Sequence, residues 1–138
     1  MAHVEVSRHI VEPADRVWRA IGSFSDIGMW HPLLNTVKSN GEGIGAQRTA
    51  IGRDGSQQVE QLQVKDPERR LYRYSIEQTS MPVRNYVGEL RVDDAGDGTS
   101  TVVWSANFDV VGADQATTVG AIEQFLKAGV ENLRKEPP

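Results

Sequence analysis

The segment from Asp114 to Arg134 constrains this chain most, because it alone reads as a long amphipathic helix. Thr118, Val119, Ile122, Phe125, Leu126, Gly129, Val130 and Leu133 recur at helical spacing and form one stripe. Glu123, Lys127, Glu131 and Lys135 follow at four-residue steps with alternating sign on the opposite side, as a solvated face does. Asp114 is placed to cap the first turn. A stripe of this width needs an apolar partner, and the preceding residues must supply it. The helix then either covers a sheet only, or its Phe125 and Gly129 side also roofs a cavity.

The totals narrow what that partner can be. At 138 residues the chain is expected to form one domain, residues 1–138, with one sizeable core. Its net charge of -4 comes from acids and bases interspersed without a basic run, which argues against a nucleic-acid partner. There is no cysteine, so disulfides, thiolate catalysis and cysteine-ligated metal are excluded. No apolar stretch approaches the roughly 20 residues that span a bilayer, so no membrane insertion is expected. Met1-Ala2-His3-Val4-Glu5 does not open like a signal peptide, and a cytoplasmic location is expected. Glu136-Pro137-Pro138 reads as a frayed tail.

Alternation dominates the rest. His3 to Val11 places Val4, Val6 and Ile10 on one face of a first strand, with Arg8 on the same parity. Pro13 opens a short helix with Val17, Trp18 and Ile21 buried, and Gly22 ends it. Ser25 or Asp26 then caps a second short helix through Ile27 and Trp30. Pro32 forces His31 out of helical geometry, so Trp30 and His31 sit where helix turns into strand. Leu33 to Ser39 reads as the second strand. The glycine-rich run Asn40 to Gly45 leads into another strand, Ala46 to Gly52, not into a helix. It is therefore a turn and not a phosphate cradle.

Arg53-Asp54-Gly55 predicts a three-residue hairpin loop with glycine at the left-handed position. That turn sets the register: Gly52 faces Ser56, Ala50 faces Gln58 and Arg48 faces Glu60. Glu60, Leu62 and Val64 then share the inner face, opposite Gln57, Val59, Gln61, Gln63 and Lys65. Tyr72, Tyr74 and Ile76 point inward from the next strand. Thr79 to Arg84, with Met81-Pro82, is a loop. Tyr86, Gly88, Leu90 and Val92, then Val102, Trp104, Ala106 and Phe108, complete the inner face, with Gly88 expected opposite the Trp104 ring. The order is a strand, two short helices, six strands and a long helix. A long antiparallel sheet with one apolar face curls, and the last helix fills the concavity, an α+β architecture.

These residues resemble a known family. Pro13-Ala14-Asp15-Arg16-Val17-Trp18, Phe24, Trp30-His31-Pro32, Gly45-Ala46-Gln47-Arg48, Glu60-Gln61-Leu62, Pro82, Tyr86 and Trp104 follow in the order seen in the START-like (SRPBCC, helix-grip) superfamily. Across essentially the whole chain the pattern is most similar to its bacterial polyketide cyclase/dehydratase-like branch. The resemblance implies a seven-stranded sheet gripping the last helix around a hydrophobic cavity. It also implies that the Arg53–Gly55 and Thr79–Arg84 loops flank the cavity mouth. It implies no cofactor and carries over no catalytic residue.

The candidate site follows from the inward residues. Trp30, Tyr72, Tyr74, Met81, Tyr86, Trp104, Phe108, Ile122 and Phe125 are the expected ligand contacts, around a cavity of roughly 300–1,000 Å³. Arg48, Glu60 and His31 are the polar candidates for catalysis. An arginine among tyrosines can orient a carbonyl, and a glutamate or a rim histidine can move a proton beside it. Equally, Arg48 and Glu60 can serve only to satisfy each other's buried charge. His3, His9 and His31 lack metal-ligand spacing, so no metal is expected. Two functions stand: binding of a small hydrophobic, aromatic or polyketide-like molecule, and cofactor-free cyclisation or dehydration of one.

Overall fold

The computed structural model describes residues 1–133. The expected helix end at Arg134, Lys135 on the solvated face and the Glu136–Pro138 tail lie outside the described residues. The elements are β1 (Ala2–Ile10), α1 (Ala14–Ile21), a 3₁₀ segment (Phe24–Met29), β2 (Leu34–Ser39), β3 (Gln47–Gly52), β4 (Gln57–Asp66), β5 (Leu71–Thr79), β6 (Val83–Asp94), β7 (Ser100–Val110) and α2 (Gln115–Asn132). Among the described residues the seven strands form one antiparallel sheet in the order β1-β7-β6-β5-β4-β3-β2. β1 pairs with β7, so the chain's first and last strands are neighbours, and β1 and β2 form the two edges of the sheet. No helix among the described residues is long and apolar enough to cross a membrane.

α2 forms where the periodicity places it. Asp114 caps it: its Oδ2 accepts hydrogen bonds from Thr117 N at 2.9 Å and Thr117 Oγ1 at 2.7 Å. Thr118, Ile122, Leu126, Gly129 and Val130 are buried against the sheet, while Lys127 and Glu131 face solvent 3.8 Å apart. The inward faces of β5, β6 and β7 also hold as expected, with Tyr72, Tyr74, Tyr86, Leu90, Val92, Val102, Trp104 and Phe108 all buried.

The β3–β4 hairpin turns at Gly55, whose φ of +86° suits glycine. Gly52 N donates to Ser56 O at 2.8 Å, and the pairs Ala50–Gln58 and Arg48–Glu60 follow. The expected inward position of Val64 is wrong. The β4–β5 register shifts between Leu62 and Val64, and a bulge of this kind inverts the parity beyond it. Val64 is therefore 38% exposed while Leu62 is buried.

Three further local expectations are corrected by long-range contacts. The second short helix is a 3₁₀ segment starting after Ser23, and neither Ser25 nor Asp26 caps it. The cap comes from a distant residue: Glu42, in the glycine-rich turn, accepts hydrogen bonds from Phe24 N, Ser25 N and Ser23 Oγ at 3.0, 2.7 and 3.0 Å. Lys65 Nζ joins it at 2.7 Å. Partial burial pushes the Glu42 carboxyl up, but Lys65 and the donors of Ser25 and Ser23 outweigh this and bring its pKa down to about 2. Leu33 falls outside β2 and lies at its entrance. Gly88 pairs with Tyr74 on β5 and Ala106 on β7, whereas Trp104 pairs with Leu90. The ring lying on Gly88 is that of Tyr74.

A Cβ on Gly88 would sit inside van der Waals contact with the Tyr74 ring, whereas one on Gly120 in α2 would meet open space. Gly88→Ala should therefore lower stability by about 1–3 kcal/mol through overpacking. Gly120→Ala should raise it by up to about 1 kcal/mol through helix propensity. Urea unfolding of the two variants checks this, and a neutral Gly88→Ala would contradict the packing described.

Candidate functional site

Between α2 and the concave face of the sheet lies a cavity of about 430 Å³. Its apolar wall includes Ile27, Leu34, Ile76, Met81, Tyr86, Trp104, Ile122 and Phe125. Its polar side runs along one strand, because Gln58 and Glu60 share a face of β4 at alternate positions and Ser56 stands just before that strand in the hairpin turn. Arg53 and Asp54 from the hairpin loop and Met81 from the β5–β6 connection take part in the wall, as expected of loops flanking the mouth.

The polar centre is the Arg48–Glu60 pair. Arg48 is fully buried behind the wall, and its Nε donates to Glu60 Oε1 at 2.6 Å. Its Nη1 donates to Phe24 O at 2.7 Å and to Tyr72 Oη at 3.2 Å. The guanidinium carbon stands 4.2 Å from the Phe24 ring centre and 4.9 Å from that of Tyr74, within cation–π range. Burial by itself would favour a neutral Arg48, yet its surroundings hold it firmly protonated. Burial raises Tyr72 and Tyr74, so both remain neutral phenols and Glu60 is the counter-charge. Glu60 keeps 12% of its side chain exposed and borders the cavity. Its Oε2 makes no hydrogen bond to a protein group among the described residues.

The expected site residues separate into wall and support. Tyr74, Met81, Tyr86, Trp104, Ile122, Phe125 and Glu60 border the cavity. Trp30, Tyr72, Phe108 and Arg48 do not; they are buried behind it. Inward parity chose the correct face for these residues but not the depth. Tyr72 packs edge-on against Phe24, Phe108 stacks on Tyr86, and Trp30 packs on Trp104. Of the helix side expected to roof the cavity, Phe125 does so. Gly129 instead admits His31 and Trp104, whose atoms would lie 2.7 and 2.8 Å from an added Cβ. Neither Arg8 nor Arg84 reaches the wall. Gln58, Ser56, Leu33, Ile76 and Ala121 border the cavity without having been singled out. Gln58 and Ser56 share the parity of Glu60 and were legible from the same hairpin register.

His31 is not a rim base. It is 2% exposed and stacks on Phe125 with ring centres 4.0 Å apart. Nε2 donates to Phe125 O at 2.8 Å, and Nδ1 accepts from Leu33 N at 3.2 Å. Both nitrogens are thus engaged in the neutral form, and His31 clasps α2 to the entrance of β2. Burial lowers its pKa to about 4; the nearby Arg48 charge adds to this and the Phe125 hydrogen bond opposes it. Among the described residues no group of three or more His, Asp or Glu is placed to hold a metal ion.

The family model for polyketide cyclase / dehydrase and lipid transport matches residues 1–136. The chain belongs to that family. Among solved structures, XoxI from Bacillus cereus is similar at 29% identity, with a TM-score of 0.91 over 98% of this chain and 94% of that one. A putative uncharacterized protein from Bacillus thuringiensis is similar at 28% identity, with a TM-score of 0.89 over 97% of both chains. The di-domain ARO/CYC BexL from the BE-7585A biosynthetic pathway matches at 18% identity. Its TM-score is 0.81 over 98% of this chain and 46% of BexL, and it shares the fold. No curated protein sequence matches the chain. Membership agrees with the helix-grip architecture: a seven-stranded sheet closed by the C-terminal helix of this polyketide cyclase-like chain.

The His31 pKa makes stability depend on pH with a definite sign. The unfolded histidine titrates near 6.5 and the folded one near 4, so protons bind the unfolded chain preferentially between these values. The contribution is complete above pH 6.5 and is lost as pH falls toward 4. That gap corresponds to about 3 kcal/mol. Glu42 adds a separate loss at lower pH, between 4.5 and about 2. His31→Gln should flatten the pH 6.5–4 limb in denaturant unfolding and leave the lower limb in place. An unchanged upper limb would contradict the neutral clasp.

Proposed function

We propose that residues 1–138 act as one ligand-binding domain that holds a small hydrophobic molecule, aromatic or polyketide-like, between the sheet and α2. The observation that carries this reading is the cavity of about 430 Å³, walled by aromatic and aliphatic side chains around one polar strip. A volume in this range suits a small organic ligand, and the mixture of apolar wall and few polar groups is what such sites use. Family membership supports the same reading, since the family's description includes lipid transport.

Glu60 favours binding over catalysis. Its Oε1 is engaged by the buried Arg48 at 2.6 Å, which holds the carboxylate in place. His31, the other candidate base, is withdrawn from the cavity and has both ring nitrogens occupied. A second reading, cofactor-free cyclisation or dehydration, is favoured by one feature: Glu60 borders the cavity and its Oε2 has no hydrogen-bond partner among the described residues. A carboxylate so placed can accept a proton next to a ligand carbonyl. The family's description and the ARO/CYC designation of BexL fit that alternative.

Native mass spectrometry of freshly purified protein tests the binding reading directly. The expected result is an added mass of one small organic molecule, removed by mild activation. Glu60→Gln then separates the two readings. If the chain only binds, the variant keeps its ligand and loses stability by less than the 3–5 kcal/mol of a broken buried pair, because the glutamine oxygen still accepts from Arg48. If Glu60 is a general base, conversion of the bound molecule should fall by roughly 10²–10⁴-fold at near-normal affinity. The expected outcome is retention of an unaltered ligand by both proteins.

A further inference from the structure

His31 links two sides of the cavity mouth. Its ring is buried behind the wall, but both of its hydrogen-bond partners belong to residues that border the void: Leu33 at the entrance to β2 and Phe125 on α2. Arg53 extends the same line, since its backbone N donates to Leu33 O at 2.9 Å and its Nε to Pro32 O at 2.7 Å. The β3–β4 hairpin loop, the Pro32–Leu33 connection and α2 are thereby joined in one hydrogen-bonded belt, and His31 is the link that reaches the helix. Leu33 is 44% exposed and Phe125 is half-buried, so the belt runs close to solvent.

The surroundings of the ring decide what a proton does to it. Arg48 on β3 is the charged group that acts on His31, and its charge opposes protonation. Glu60 on β4 is bound to that guanidinium at 2.6 Å. α2 presents the Phe125 carbonyl and Gly129, β7 presents Trp104, and the end of the 3₁₀ segment presents Trp30; none of these titrates. A proton added at Nδ1 turns an acceptor into a donor, so that two N–H groups face each other and the Leu33 link is lost. The resulting cation has one acceptor at this depth, the Phe125 carbonyl. Moving the ring toward water relieves both conflicts, and that movement parts Leu33 from Phe125.

Resting on the binding reading above, we propose that His31 is a proton-operated latch on the cavity: the bound molecule enters and leaves where Leu33 parts from Phe125, and protonation of His31 opens that seam while the sheet stays folded. The closed mouth holds the histidine neutral, and the open mouth lets it titrate as it does in water. The closed form is therefore fully favoured above pH 6.5 and loses ground as pH falls toward about 4. Between pH 7.5 and 4.5 this difference favours opening by roughly 30- to 100-fold. The latch sets how fast the cavity exchanges its contents, whereas the apolar wall sets how tightly it holds them.

Stopped-flow release of N-phenyl-1-naphthylamine from the full chain tests this, because that fluorescent probe is neutral across the whole pH range. Its dissociation rate should rise roughly 30- to 100-fold from pH 7.5 to 4.5. His31→Gln keeps a donor for Phe125 O but cannot take the proton, so its release should be faster than that of the wild type at pH 7.5 and nearly flat with pH. His31→Asn, which keeps an acceptor for Leu33 N, is the second variant and should be equally flat. Hydrogen exchange reads the latch without any probe: acidification should lower the protection of the Leu33 amide, while the Leu90 and Trp104 amides of the sheet keep theirs. A wild-type release rate that does not change with pH would overturn the latch and leave the binding reading intact. So would a pH dependence that persists in both variants, or loss of Leu33 and Leu90 protection together. Failure of the probe to bind at pH 7.5 would overturn the binding reading, and the Leu33 exchange would still decide the latch.

Discussion

The buried guanidinium of Arg48 is the interaction on which the rest of the architecture depends. One side chain from β3 reaches Glu60 on β4, Tyr72 on β5 and the carbonyl of Phe24 in the 3₁₀ segment. A cation removed from water is tolerated only when its donors and charge are met, so these elements are held in one relative arrangement. The planar fork of arginine suits this better than a lysine ammonium, because it serves several acceptors while its faces lie on the Phe24 and Tyr74 rings. The consequence for the cavity is direct. Arg48 fixes the Glu60 carboxylate at the wall while withholding its own charge from the interior.

A second clasp closes the opposite side. His31 joins the Phe125 carbonyl of α2 to the Leu33 amide at the entrance of β2, and Gly129 gives it room against Trp104. The Glu42 carboxylate does related work at the start of the 3₁₀ segment, taking two backbone amides that have no helical partner. Both devices join residues far apart in sequence, and both depend on a protonation state, neutral for His31 and ionised for Glu42. The grip of sheet on helix is therefore strongest near neutral pH and loosens in two stages on acidification.

Much of this was legible beforehand. The parity of Tyr72, Tyr74, Tyr86 and Trp104 identified the inner face, and the Arg53-Asp54-Gly55 turn identified Glu60 as the partner of Arg48. Val64 was misplaced because a bulge between strands leaves no reliable mark in the strand that carries it. Trp30, Tyr72 and Phe108 were expected on the cavity wall because facing inward and bordering a void look alike in one dimension. His31 was expected at the rim because Pro32 signals a break in the helix but not the depth at which that break is buried.

The sequence by itself determined the element order, the hairpin register and the face that side chains take wherever the strands run without a bulge; Val64, beyond the β4 bulge, lies outside that rule. These follow from backbone periodicity and turn chemistry, which act over a few residues. Tertiary structure alone decided where the space remains. A void of about 430 Å³ is what is left after the sheet has curved and α2 has seated, and its wall draws on residues from Ile27 to Phe125. Whether an inward ring fills the core or borders that space depends on packing between segments distant in the chain. Local pattern therefore encodes direction, and the assembled fold sets depth.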